Sequence, residues 1–178
     1  MQIVKAEDPH YLIIQHIAQF TWPETFKTIL SDEQIDYMLK LMYSNQSIHN
    51  QVTNLNHHFI LVWEDGTYHG FASYELNYNH SDTTKVHKLY ILPKSQGKGV
   101  GRLLLNHIED IARQHNNSGL TLNVNRKNTA VAFYTSLGWS IDKEEDLDIG
   151  NGFLMNDYVM SKQILKSAYL PVTAEEAP

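Results

Sequence analysis

The stretch from Tyr90 to Arg113, YILPKSQGKGVGRLLLNHIEDIAR, leads from a β-rich segment through a loop carrying Gly97, Gly99 and Gly101 into an amphipathic helix. A strand that turns through glycines into a helix N-terminus makes an anion site, because the first helical N–H groups lack partners and the macrodipole favours negative charge. Lys98 inside the loop and Arg102 just after it add cations to that nest of main-chain donors. Spacing discriminates among phosphate binders. A dinucleotide fingerprint, G-x-G-x-x-G, would need glycine where Arg102 stands, and a nucleoside-triphosphate loop would need lysine and then serine or threonine where Arg102-Leu103 follows the last glycine. What remains, Gln96-x-x-Gly99-x-Gly101 with Val100 opening the helix, suits a pyrophosphate held without metal. As a plain turn, the same glycines would only supply positive φ.

The elements around the loop follow from periodicity. From Asp8 to about Ser47 the apolar residues Leu12, Ile13, Ile17 and Phe20, then Ile35, Met38, Leu39 and Met42, recur at helical spacing, and Ser31 or Asp32 caps the second group. From His57 to Leu92 the β-branched and aromatic runs HHFILVWEDGTYHGFASYELNY and TKVHKLYIL predict a hairpin turning at EDGT and a further strand. After the loop, Val100, Leu104, Ile108, Ile111 and Ala112 share one helix face, which ends at NNSG. LTLNVN predicts a strand, TAVAFYTSL a short helix stopped by Gly138, and GFLMNDYVMSKQI a closing strand. This order implies a mixed α/β (α+β) sheet with helices on its faces.

Length and composition narrow the class. At 178 residues and 42% hydrophobic, the chain is expected to form one domain over residues 1–165, with an aperiodic mobile tail over 166–178. No window reaches the ~18 apolar residues of a membrane span. MQIVKAEDPHYLIIQ lacks a signal peptide's basic head and cleavage site, so a cytoplasmic protein with no membrane partner is expected. The absence of cysteine excludes disulfides, thiolate metal sites and a cysteine nucleophile. A net charge of −6 argues against a nucleic-acid partner and is compatible with a cationic substrate. Of the ten histidines, His57, His58, His80 and His87 invite a metal reading, but neither H-x3-H nor H-E-x-x-H occurs and no acid stands at ligand spacing, so no metal is expected.

Downstream, NVNRKNTAVAFYTSLGW places Asn128, Ala130, Phe133, Tyr134, Gly138 and Trp139 on a strand end, a short helix and the turn after it. Together with the Gln96-x-x-Gly99-x-Gly101 loop, this order resembles the GNAT N-acetyltransferases, from about Trp63 to Met160. TWPETFKTILSDEQIDYML further resembles the bacterial PaiA-like polyamine branch. The resemblance implies a GNAT fold, with a mostly antiparallel sheet splayed between two central parallel strands. It also implies acetyl transfer from acetyl-coenzyme A to a primary amine (a polyamine, small amine or protein amine) by direct attack in a ternary complex, and a tendency to form homodimers.

The resemblance assigns roles residue by residue. Leu89, Tyr90 and Ile91 would pair through their backbone with the pantetheine arm. Gln96, Gly97, Lys98, Gly99, Val100, Gly101 and Arg102 would hold the pyrophosphate. Asn128 would bind the cofactor arm and Phe133 pack near its thiol end. Many members carry N-x-x-A where Asn128-Thr129-Ala130 is one residue shorter, so Asn123 and Asn125 are alternatives to Asn128. Amide formation needs a neutral amine, a donor for the developing oxyanion and a proton for the departing thiolate. Tyr134 matches the family's general acid; packing beneath the cofactor arm is its simpler role. Lys85 occupies the position at which some members place a glutamate base, which leaves Glu75, slightly preferred, or His87, acting directly or through water. The run DKEEDLDIG, Asp142 to Gly150, reads as a solvated loop, or as an acidic rim that draws in a cationic amine. The alternative function is an acyl-coenzyme A sensor module that binds without turnover.

Overall fold

The run HFILVWE does not alternate: Phe59, Ile60, Leu61 and Val62 are all buried, as in a strand covered on both faces. In the computed structural model, which describes residues 1–164, this run is β2 (His58–Glu64), between β1 (Gln2–Lys5) and β3 (Thr67–Glu75). The expected tail over 166–178 lies outside the described residues. Asp65 and Gly66, at φ 47° and 78°, make the tight β2–β3 turn. With β4 (Thr83–Ile91), β5 (Gly119–Asn125), β6 (Ser140–Asp148) and β7 (Leu154–Gln163) the sheet runs in the order β1-β2-β3-β4-β5-β7-β6. Every neighbouring pair is antiparallel except β4 with β5.

Helices cover both faces. On one lie α1 (Tyr11–Phe26), α2 (Asp32–Tyr43) and α3 (Asn45–Thr53), whose Ile14, Ile17, Trp22, Ile35 and Ile48 pack with Phe59, Leu61 and Phe71. Ser31 caps α2, its Oγ accepting from the Gln34 N–H at 3.2 Å, with Asp32 and Glu33 following in the first turn. On the other face α4 (Val100–Gln114) lays Val100, Leu104, Ile108 and Ala112 against Val86, Leu120, Leu122 and Met160. The short α5 (Ala130–Ser136) joins this second core through Tyr134, and Gly138 at φ 84° turns the chain after it.

The acidic run expected as a loop is instead β6, an edge strand paired with β7 from Ser140↔Ser161 to Asp148↔Leu154. Its backbone completes the ladder while its charges stay in solvent, which is also how a sheet edge resists pairing with other chains. The N-terminal strand β1, too short to show alternation, closes the opposite edge.

The sheet departs from regularity where it matters most. Along β3 and β4, Ser73 faces Lys88 but Tyr74 faces Val86, so His87 is an extra residue, a bulge. His87 and Lys88 consequently both reach neighbours on the α1–α3 side, His57 and Gln51. On its other edge β4 pairs with β5 only over Thr83–Val86 and Gly119–Leu122. Beyond that, β4 stays on β3 as far as Gly70↔Ile91 and β5 stays on β7 as far as Asn125↔Asp157, so the two parallel strands diverge. Gly70 permits the close β3–β4 approach: a Cβ there would stand 2.6 Å from the Tyr90 carbonyl oxygen and 3.2 Å from Ile91 Cα. Because these are backbone atoms, Gly70→Ala is expected to destabilise the fold by about 1–3 kcal/mol in chemical denaturation. An unchanged midpoint would show that the approach is not constrained.

Candidate active site

The divergence leaves the β5-facing edge of Leu89, Tyr90 and Ile91 without a strand partner, a row of main-chain groups that an extended amide-bearing chain can pair with. At its C-terminal end Ser95, buried and hydrogen-bonded to His69 Nδ1 at 2.8 Å, anchors the turn into the glycine loop. Gly97 and Gly99 take φ of 74° and 81°, and Gly99 is the residue before α4. The first helical main-chain bond runs from the Leu103 N–H to the Gly99 carbonyl, which leaves the N–H groups of Gly97 to Arg102 without main-chain partners among the described residues. Gln96 differs from expectation, since its N–H already donates to the Pro93 carbonyl at 3.2 Å. Gly101 serves a purpose beyond clearing the approach: a Cβ there would lie 3.2 Å from the Phe133 ring, so it lets α5 close onto α4. Lys98 and Arg102 are exposed at the loop.

Tyr134 is buried in the core between α4 and the sheet. Its ring packs on Trp139 at 5.8 Å and Phe133 at 5.3 Å. Burial, then the neighbouring Tyr90 phenol, raises its pKa well above the ordinary tyrosine value, so it stays protonated and able to donate. The asparagines separate by role. Asn128 Oδ1 accepts from the Ala130 N–H at 2.9 Å, starting α5, and Asn125 Oδ1 accepts from Lys127 at 3.0 Å. Asn123 instead accepts from Lys85 Nζ at 2.8 Å and donates to Glu145 at 3.0 Å.

The two alternatives for the base are brought together. Glu75 Oε2 and His87 Nε2 lie 2.9 Å apart. Burial, then His57, Lys88 and Lys85, lowers the His87 pKa to about 2, so the contact is a hydrogen bond from a neutral imidazole and not an ion pair. Burial raises the pKa of Glu75 above the usual carboxylate range. His57 stacks on His87 with ring centroids 3.8 Å apart, and burial lowers its pKa to about 4. Spacing along the chain hides this trio because its members come from the residue before β2, the end of β3 and the β4 bulge.

Sequence reasoning also missed Lys88 and Asp157, single charges within otherwise unremarkable strands. Lys88 is buried, donates to Gln51 Oε1 at 2.5 Å and has its pKa lowered by burial to about 7. Asp157 pairs across the sheet with Asn125 and Glu145, and its buried Oδ1 lacks a protein partner among the described residues. Burial, then Glu145, raises its pKa to about 6.

Residues 26–162 match the model of the acetyltransferase (GNAT) domain. The chain belongs to the GNAT acetyltransferase family. As a GNAT enzyme it transfers acetyl from acetyl-coenzyme A to an amine. It is 29% identical over 154 residues to the spermidine N(1)-acetyltransferase of Thermoplasma acidophilum, covering 84% of this chain and 90% of that one. The PaiA N-acetyltransferase structure from T. acidophilum in complex with coenzyme A superposes with a TM-score of 0.77 at 24% identity, covering 92% and 98% of the two chains. A GNAT structure from Rhodopseudomonas palustris gives 0.78 at 17% identity over 92% and 95%. The shared GNAT fold thus includes the parallel β4–β5 pair on which the diverging strands depend.

The Asp157 carboxyl offers a direct test of the charged face. Its folded pKa of about 6 exceeds the unfolded 3.8, so the folded state binds the proton more tightly, and stability is lost as pH rises through about 6. Asp157→Asn is therefore expected to match the parent near pH 4 and to exceed it at pH 7.5 by roughly 1–2 kcal/mol in denaturation. A pH-independent difference would contradict the raised pKa.

Proposed function

We propose that this enzyme acetylates a small aliphatic polyamine. The thioester would lie between β4 and β5 and the acceptor would approach across the α1–α3 side of the sheet. The observation that carries this reading is the buried Asp157 Oδ1, without a hydrogen-bond partner among the described residues, beside Glu145 and the acidic strand β6. A buried carboxylate costs free energy unless a cation meets it, and a polyamine brings a second ammonium besides the nitrogen that reacts. The spermidine activity named for the T. acidophilum relative supports the same acceptor class.

Within this reading the backbone of Leu89, Tyr90 and Ile91 pairs with the pantetheine arm. Free N–H groups from Gly97 to Arg102, with Lys98 and Arg102 beside them, hold the pyrophosphate. Asn128, already committed through Oδ1 to α5, contributes its amide nitrogen, and Phe133 packs near the thiol end. Glu75 takes the proton lost by the acceptor, with neutral His87 positioned between. Tyr134 donates to the sulfur as the carbon–sulfur bond breaks. A hydroxyl kept protonated favours turnover over a sensor that only binds. We place the enzyme in the cytoplasm, consistent with the absence among the described residues of any helix long and apolar enough to cross a membrane. The exposed Leu12, Phe20 and Leu41, among other exposed apolar side chains, offer surface for pairing with a second copy.

Two substitutions separate the roles in steady-state assays with spermidine. Tyr134→Phe is expected to lower kcat about 100-fold while leaving coenzyme A binding unchanged. Glu75→Gln, which keeps a hydrogen-bond acceptor for His87, is expected to lower kcat by a similar factor and to remove the acidic limb of the pH profile. Full turnover by both variants would reject these assignments, and turnover of peptidyl lysine but not spermidine would reject the acceptor.

A further inference from the structure

Among the described residues, one group of three side chains able to ligate a metal comes together: His57, Glu75 and His87, whose ligand atoms all lie within 4.8 Å of one another. Two imidazoles and a carboxylate are a donor set that zinc and its transition-metal neighbours take, with further positions open to water or substrate. A second, independent observation points the same way. His57 is 8% exposed and its buried Nδ1 has no hydrogen-bond partner among the described residues, a state that costs free energy and calls for an occupant. We propose that His57, Glu75 and His87 form a binding site for a zinc-class divalent metal ion, and that the bound ion switches off acetyl transfer.

The local geometry states what binding must do. Glu75 Oε2 and His87 Nε2 already sit 2.9 Å apart, and an ion entering between them takes the Glu75 carboxylate and the Nε2 lone pair of His87, whose one ring proton moves to Nδ1, so the imidazole stays neutral. The His57 and His87 rings lie within 19° of parallel, so their in-plane lone pairs run side by side and do not converge. Convergence requires the His57 ring to turn about its Cβ–Cγ bond. Nδ1 has no hydrogen bond to lose in that turn. Lys85 and Lys88, both close enough to influence the two imidazoles, repel an ion held by charge alone. They therefore select against magnesium and calcium and for an ion whose bonds to imidazole nitrogen are strong.

The site rests on the residue positions and not on the acceptor reading, but its consequence for activity follows from that reading. With the metal in place, the Glu75 oxygen assigned to receive the amine proton is occupied. A dication beside the acceptor position also repels a second ammonium. His57 touches neither the acyl group nor the amine in this account. Its removal should abolish metal binding and make turnover insensitive to the metal.

The test uses the full chain, freed of metal by chelation and titrated with zinc sulfate by calorimetry, and with cobalt chloride followed by visible absorption. The parent is expected to bind zinc stoichiometrically, to show the intense d–d bands of a low-coordinate cobalt site, and to lose acetyltransferase activity as zinc saturates. His57→Phe preserves the ring stack and the packing on Phe59. It is expected to lose the cobalt bands and the bound zinc, and to turn over at one rate whether zinc is present or absent. Glu75→Gln provides the second binding readout and should also lose the cobalt bands. Retention of zinc and the same bands in both variants would assign binding to surface histidines and overturn the proposal, as would no binding by the parent. Zinc bound at this trio without loss of parent activity would overturn the switch.

Discussion

The parallel pairing of β4 with β5 ends at Val86↔Leu122, and the rest of the molecule is organised by that interruption. Parallel strands normally satisfy each other along their length, so a central strand with a free edge exposes main-chain groups that must find partners. Here each strand remains held on its outer side, β4 by β3 and β5 by β7, which keeps the opening rigid and its donors in place. The bulge at His87 lies just beyond the last β4–β5 pair. It adds twist to β4 and turns His87 and Lys88 to the same face. One extra residue thus accompanies both the cofactor edge and the side-chain cluster next to it.

The two faces of the sheet divide the chemistry. The α4–α5 face brings a helix N-terminus whose N–H groups lack main-chain partners among the described residues, a glycine that admits Phe133, and the buried Tyr134. The α1–α3 face carries the charged groups: Lys85 on Asn123, Glu75 on His87, Lys88 on Gln51, and Asp157 with an oxygen that has no partner among the described residues. Burial moves the pKa values of these groups in the direction that suppresses charge, leaving His57 and His87 neutral and raising those of Glu75 and Asp157. That face is consequently less stable than an apolar equivalent and more receptive to a cation.

Much of this was legible in the sequence because local chemistry and final structure agree. The Ser31 cap, the EDGT turn, the apolar stripe of α4 and the stop at Gly138 are each set within a few residues of chain. The glycine loop was legible for the same reason. What escaped was long-range. No periodicity reveals that DKEEDLDIG pairs with β7, since an edge strand needs backbone partners and not apolar side chains. Nor does spacing show that Glu75 meets His87, twelve residues away, at the bulge between adjacent strands. Glycine spacing does not specify the turn in which the Gln96 N–H donates to the Pro93 carbonyl.

Amide hydrogen exchange with and without coenzyme A tests most directly whether the opening between β4 and β5 is the cofactor site. The account predicts new protection at Leu89 to Ile91 and at Gly97 to Arg102, with the amides of β1 and β2 unaffected. Coenzyme A binding that leaves those two segments exchanging as before would contradict it.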